Sequence, residues 1–468
     1  MIAQNRIGFL IMLTISSACT GLTLNENNPG GDDGPSLGTY LENGSIAVDA
    51  RTENVFVLAT KTDLDTDVKT KRLQVAGLSD TRARTLANLG GLQDLRILFV
   101  EDGVMVMGER GVGEELIVYD KAGEKELRRV SSDARYHGTR VSRSGRFVAV
   151  ADNHGGDNNR NPIHLISTHD LSTVKIPHPG DWLEMNWANT SDTLIAAQFT
   201  SPTVGGETGS VRLMSWSIDE VAANNFATDD TGLWALRGLD VTIPNADVDL
   251  LFSYSWVSVS PNDKYAVVPL LHRYPEELKD HHRLALIELA TNEVKLIDNA
   301  QGPVGFTPDG STIVSYRNVL NGDGTTNYHL LMIDPITIEE RLLAEPSPGL
   351  IQFFVTRDGN FVLVGDFFGS NQLTLVDVDT GTTQKLGRAL NLREFVSRPG
   401  TGELYLVDNG LFKVDLFEAT VREMPQDFTP KHINRLPSSD QLVVDNTVTD
   451  KLIFLDPKDG STIRAVRF

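Results

Sequence analysis

The chain has a single cysteine, Cys19, in 468 residues. A disulfide framework and any cysteine-based zinc site are therefore excluded. Positive charge is also scarce: 42 Lys and Arg stand against 63 Asp and Glu, a formal net charge of −21. Affinity for phosphate comes largely from clustered Lys and Arg, so nucleic acid is not an expected partner. A basic helix lying in a membrane interface is excluded for the same reason. No apolar run reaches the ~18 residues of a membrane span. The motifs His-Glu-x-x-His, Gly-x-Ser-x-Gly and Gly-x-x-x-x-Gly-Lys-Ser/Thr are all missing, and with them the local signatures of zinc peptidases, serine hydrolases and P-loop enzymes.

What is present is an ordinary globular composition, 40% apolar with 40 Gly and 20 Pro. At ~150 residues per domain the length suggests about three domains, a prior that closed β-folds routinely break. The N-terminus, Met1 to Cys19, reads MIAQNRIGFLIMLTISSAC. Arg6 supplies a positive n-region, and Ile7 to Ile15 form an apolar stretch too short to span a bilayer. Ser16-Ser17-Ala18 then lead into the lone cysteine. This segment resembles a bacterial lipobox, although Ser16 stands where that motif usually has Leu. The resemblance implies a signal peptide over residues 1–18 and an acylated Cys19. Thr20, where an Asp would signal inner-membrane retention, implies sorting to the outer membrane. Residues 19–43 are rich in Gly, Asn, Asp and Pro and read as a flexible tether with a reach on the order of 27 Å.

From residue 44 to 468 one pattern recurs: apolar strand, tight polar turn, apolar strand. Clear copies are TRVSRSGRFVAVAD (Thr139 to Asp152), VGFTPDGSTIVSY (Val304 to Tyr316) and FFVTRDGNFVLVGD (Phe353 to Asp366). Asp309-Gly310 and Asp358-Gly359 are hairpin dipeptides suited to a type I′ turn. A third strand usually ends in Asp (Asp120, Asp334, Asp379, Asp415, Asp456), where the carboxylate accepts from the following turn, and a fourth short strand closes the unit.

Four strands in about 47 residues, repeated, is the period of a β-propeller blade. Nine units start near Gly44, Leu92, His137, Trp182, Leu250, Gly302, Leu350, Leu392 and Pro430, with an insertion around Thr228 to Asp249. The expected fold is all-β, a propeller of seven to nine four-stranded blades, the first two units being least regular. These units resemble WD40-like and YVTN-type bacterial propeller repeats, without a Trp-Asp dipeptide closing the third strand. Propellers host hydrolases, lactonases, oxidoreductases and pure binding scaffolds, so the resemblance implies a fold and no activity.

Candidate chemistry is sparse. Asp63, Asp65 and Asp67 offer clustered carboxylate oxygens of the kind calcium takes, though Val68 and Gln74 stand where an EF-hand needs Gly and Glu. No cofactor other than such a calcium ion is expected. His281-His282 reads as part of a polar loop, and Asp152 to Asn159 as a long exposed one. Aligning the units puts Gly138, Glu184, Trp256, Pro303, Gln352, Arg393 and His432 on the strands around the tunnel, with His137 beside them. Of these, His137, Glu184, Arg393 and His432 could bind a small polar ligand at the tunnel mouth. The expectation is a lipid-anchored propeller of the cell envelope, on the periplasmic or surface side of the outer membrane. It would act as a binding or scaffold module for an envelope protein or a small ligand. The alternative is a lactonase- or hydrolase-like envelope enzyme with its site at the tunnel mouth.

Overall fold

The computed structural model describes residues 39–40, 46–49, 51–62, 69–89, 92–110, 113–120, 125–132, 136–152, 163–176, 182–200, 209–230, 233–248, 257–273, 280–320, 326–347, 351–356, 359–366, 372–388, 395–398, 401–446, 449 and 451–467. These residues form nine antiparallel sheets, each built on a four-stranded meander; in blade 2 a further strand, Thr39–Tyr40, is added out of chain order, and in blade 5 the first strand is in two pieces, Ala246–Val248 and Ser258–Val259. The strands of each blade are lettered A to D from first to fourth. Blade 1 runs over 46–88, blade 2 over 93–132 and blade 3 over 136–176. Blades 4, 5 and 6 cover 182–244, 246–298 and 301–347. Blades 7, 8 and 9 cover 351–388, 395–424 and 433–467. The upper end of the expected seven to nine is therefore the true number, and the two least regular units are true blades.

Burial explains why the sequence reads this way. The B strand Gly103–Arg110 and C strand Gly113–Asp120 are buried along nearly their whole length, as strands covered on both faces must be. D strands such as Thr173–Ile176 and Thr420–Met424 alternate with solvent, because they form the rim. Successive residues point to opposite faces of a sheet, so each blade packs one apolar set against the blade before it and one against the blade after. Phe56, Leu58 and Leu73 of blade 1 pack on Ile97, Phe99 and Ile117 of blade 2. Phe354 and Leu375 of blade 7 pack on Leu404, Phe412 and Val414 of blade 8. Each fully buried Leu, Val or Phe in such an interface contributes ~1.5–3 kcal/mol.

Ile46, Val48, Val55 and Val57 pack against Leu436, Val443, Leu452, Phe454 and Val466, so blade 9 meets blade 1 and the ring is closed. No strand is exchanged between these two blades: each draws its four strands from one end of the chain. A latch on the rim supplements the apolar seam. The Ala83 N–H donates to the Arg467 carbonyl at 2.9 Å, and the Arg464 guanidinium donates to the Asp80 carbonyl at 3.0 Å. The same guanidinium lies over the Phe454 ring, 3.6 Å from its centroid.

Three local expectations are corrected. In the turn Thr307 to Gly310 only Gly310 has a positive φ, 68°, and the Gly310 N–H donates to the Thr307 carbonyl at 2.7 Å. Pro308 and Asp309 are therefore the corners of a type I turn with glycine after it, because proline holds the first corner at negative φ. Asp358 lies outside the described residues. In blade 7 the turn carboxylate is Asp377 rather than Asp379: its Oδ1 accepts from the Thr380 N–H at 2.8 Å and the Thr380 hydroxyl at 2.7 Å. The insertion is the C–D connection of blade 4, not the approach to blade 5. It carries one short helix, Ile218–Ala223, and buries Trp234 edge-on against Trp216 at 5.9 Å between ring centroids. Asp240–Pro244, expected within the insertion, is the D strand of blade 4.

Candidate functional site

Up-and-down strand order sorts the connections onto two faces of the ring. A–B and C–D turns fall on one face, B–C and D–A connections on the other. The first face, which also holds the long C–D connection of blade 4, is cross-linked from blade to blade. The Asp263 carboxylate of blade 5 accepts from the Asn189 N–H at 2.6 Å and the Thr190 N–H at 2.7 Å of blade 4. The Asp192 carboxylate of blade 4 accepts from the Ser144 N–H at 3.1 Å and Arg146 at 2.8 Å in blade 3. The Asn262 amide donates to the Asp309 carbonyl of blade 6 at 2.6 Å, and Arg398 of blade 8 pairs with Asp440 of blade 9 at 2.5 Å. Glu53 of blade 1 accepts from the Ser438 N–H of blade 9. Each carboxylate meets the donors of a neighbouring turn, a rigid arrangement of charge-assisted bonds.

The opposite face holds the B–C and D–A connections, and of the described candidates His137 and His432 lie at the ends of their A strands nearest it. His137 lies on the A strand of blade 3, and Glu184 on that of blade 4, paired with Ala197. Gly138, Pro303 and Gln352 are likewise on A strands. Trp256, Arg393 and the triplet Asp63, Asp65 and Asp67 lie outside the described residues, as does Cys19. With nine blades, the positions on blades 3 and 4 are three or more blades away from His432 on blade 9. A-strand side chains also project toward neighbouring blades rather than down the axis. The Trp187 indole N–H donates to the Arg140 carbonyl of blade 3 at 3.1 Å, while the Asn186 amide donates to the Val257 carbonyl of blade 5 at 3.0 Å.

His432 is the candidate whose surroundings are described. The Asp445 carboxylate, fully buried, accepts from the Lys431 and His432 N–H groups, each at 2.8 Å. Its other oxygen faces His432 Nδ1 at 3.1 Å. The carboxylate thus pins the chain where it turns into the A strand of blade 9 and fixes the orientation of the imidazole. Asp152 and Asp366 end the B strands of blades 3 and 7 opposite the first residue of the A strand, whereas Asp445 stands one residue before the end of its B strand, so the clamp is particular to blade 9 among these three.

Two further groups on this face were not read from the sequence as they stand. In blade 2, Glu114 and Glu115 are buried. Glu115 pairs with Arg110 at 3.0 Å and with Arg129, and Glu114 lies 3.7 Å from Arg96. Arg96 also donates to the Thr139 hydroxyl of blade 3 at 3.0 Å. In blade 5, His281 and His282 lie on the C strand Asp280–Glu288, not in a loop. His281 pairs across the ladder with His272 of the B strand. His272 is buried, and desolvation, aided by the Arg283 charge, pushes its pKa down to about 4. Among the described residues, no three His, Cys, Asp or Glu side chains gather as metal ligands do.

This closed ring of four-stranded sheets defines the chain as a β-propeller, of nine blades. No family model matches it, and no curated protein does either. Among solved structures it is similar to a eukaryotic initiation factor, at 10% identity and a TM-score of 0.55, over 85% of this chain and 93% of that one. It is also similar to Citrobacter koseri AztD, at 11% identity and a TM-score of 0.42, over 88% of this chain and 94% of that one. A third, an oligogalacturonate lyase in complex with manganese, has 12% identity and a TM-score of 0.41, over 88% and 97%. At such identities the likeness concerns the fold alone.

Proposed function

We propose that this chain is a lipid-anchored propeller of the bacterial cell envelope that serves as a binding or scaffold module, with Cys19 as its acylated residue. The observation that carries the reading is the difference between the two faces. One is locked by turn-to-turn hydrogen bonds. The other carries the B–C and D–A connections and has no such ladder of bonds between turns among the described residues. Loops on a rigid scaffold are where recognition is placed. The acidic and basic groups described on that face are engaged with one another, Glu115 with Arg110 and Arg129, and Asp445 with His432. This supports recognition over group-transfer chemistry. The partner is an envelope protein or a small polar ligand, with His137, Glu184, Arg393 and His432 as the proposed contacts. The triplet Asp63, Asp65 and Asp67 remains a calcium proposal.

A photo-crosslinking amino acid placed at Thr449, exposed on the loop face, or at Lys458, exposed on the turn face, tests the reading in intact cells. Discrete protein adducts from Thr449 and none from Lys458 are expected. Adducts from Lys458 alone, or equally from both, refute it.

A further inference from the structure

The segment ahead of blade 1 holds a strand of its own. Thr39–Tyr40 pairs antiparallel with the A strand of blade 2, Gln93–Val100, with Thr39 opposite Ile97 and Tyr40 opposite Arg96. In that sheet the added strand lies beyond the A strand, on the edge that faces the tunnel. The A strand runs from the loop face at Gln93 to the turn face at Val100, where the A–B turn of Glu101 and Asp102 follows. An antiparallel partner runs the other way. Thr39 is therefore the end of this strand nearer the turn face and Tyr40 the end nearer the loop face, where the A strand of blade 1 begins at Ile46. From Ile97 to Val100 is ~10 Å at the strand rise, a distance that a few residues ahead of Thr39 cover.

A second observation marks the same face independently. Leu78, Leu236, Ile336 and Phe417 are exposed large apolar side chains, Ile336 at 71% and Phe417 at 58%. All four stand on C–D connections, in blades 1, 4, 6 and 8. The remaining exposed large apolar residues described lie on the D strands. Three of these, Leu127, Leu342 and Ile463, fall within the first three residues of their strands, just past the C–D turn. Apolar tips spread around one rim fit a flat apolar-to-polar boundary better than a compact protein partner, which would need them in one patch. The net charge of −21 gives no electrostatic attraction to anionic lipid, so apolar contact and the acyl chains would have to supply the affinity.

We infer that the N-terminal segment threads the tunnel as an extra inner strand and leaves through the turn face, so that this face sits against the membrane and the loop face points away from it. The membrane arm rests on the reading of Cys19 as acylated; the threading does not. Thus the anchor and the recognition loops lie on opposite sides of the ring, and the chain between them runs through it.

Threading is tested in the full chain with Thr39→Cys and Ile97→Cys together. Antiparallel partners stand within disulfide reach. Mild oxidation is expected to close this bond, whereas Thr39→Cys with Val304→Cys, on blade 6, stays reduced. Hydrogen exchange on the unmutated chain provides a check free of any folding defect, with at least ten-fold slowing expected in the peptide holding Thr39–Tyr40. No bond and unprotected exchange overturn the threading. Orientation is tested with the acylated protein in phosphatidylethanolamine–phosphatidylglycerol vesicles. Bimane is attached at Ile336→Cys, Phe417→Cys or Thr449→Cys, and doxyl-labelled lipid is the quencher. At least two-fold quenching at 336 and 417 and none at 449 is expected, and the reverse pattern overturns the orientation while leaving the anchor intact. If Cys19 takes no fatty acid while the 39–97 bond forms, the anchor fails and the orientation with it, and only the threading survives.

Discussion

Removing residues 461–468 should open the ring. The deletion takes away the D strand Thr462–Arg467 of blade 9 and leaves the C strand Lys451–Leu455 as an unpaired edge. Val466 is fully buried in the seam with blade 1, and losing it costs ~1.5–3 kcal/mol. The bonds from Ala83 to Arg467 and from Arg464 to Asp80 contribute ~0.5–1.5 kcal/mol each. The Arg464–Phe454 stack adds ~0.5–2 kcal/mol. Together with the exposed apolar face of blade 9, the loss is about 5 kcal/mol or more, comparable with the whole stability of many folded domains. Denaturant unfolding of a soluble Cys19→Ser form, followed by tryptophan fluorescence, should show a steep fall in the midpoint or no folded protein at all. The point variant Val466→Ala grades the effect and should cost ~1–3 kcal/mol with the fold kept. A truncated protein whose midpoint stays within the ~0.5 kcal/mol typical of surface changes would refute the argument. The apolar seam alone would then hold the ring closed.

Four further outcomes are expected. Cys19→Ala should abolish incorporation of labelled palmitate and move the protein from the membrane to the soluble envelope fraction; unchanged labelling contradicts the anchor. Asp445→Ala leaves two backbone N–H groups and the His432 ring without their acceptor, and should cost ~2–4 kcal/mol in denaturant unfolding, with under ~0.5 kcal/mol counting against the clamp. Gly310→Ala puts a Cβ 2.6 Å from the Asn262 side chain at φ 68°, whereas Gly387→Ala, at φ 90°, meets nothing within 4 Å. Both should destabilise by at least ~1 kcal/mol, Gly310→Ala by more, and equal losses would exclude the clash. Because His272 is held neutral, its folded pKa of about 4 lies below the unfolded value of 6.5. Its contribution is therefore present above pH ~6.5 and lost as pH falls toward 4, by up to about 3 kcal/mol. His272→Leu should flatten the midpoint-against-pH curve in that window, and an unchanged slope rejects the assignment.

The candidate site was less legible than the blades, for a physical reason. Each unit announces itself locally: alternating or continuous apolar strands, a Pro-Asp-Gly or Ser-Gly turn, a strand-terminal Asp. Site geometry depends on which residues a closed ring brings side by side. Asp445 and His432 meet because the A strand of blade 9 folds back on its B strand in one register. A one-residue slip would have turned the carboxylate to the other face. Arg96 and Thr139, or Asp263 and Thr190, meet only because consecutive blades stack, and nothing within either segment names its partner.

The sequence by itself showed a repeat of nine four-stranded units and where eight of them begin, because strand period and turn chemistry act over a few residues; blade 5 begins at Ala246, inside the stretch read as the insertion. It also determined that a turn acid follows the third strand, although in blade 7 the structure chose Asp377 over Asp379. That choice depends on where the strand ends, which the pairing ladder sets. Only the tertiary structure decided that all nine units join one ring, since closure rests on contacts between residues such as Ile46 and Val443 at opposite ends of the chain. It alone placed the insertion in blade 4, where Trp234 finds a buried seat against Trp216. It alone separated a locked face from a loop face and set Thr39–Tyr40 against the inner edge of blade 2. Those features are long-range: they arise from pairing and packing between distant segments, which no local propensity encodes.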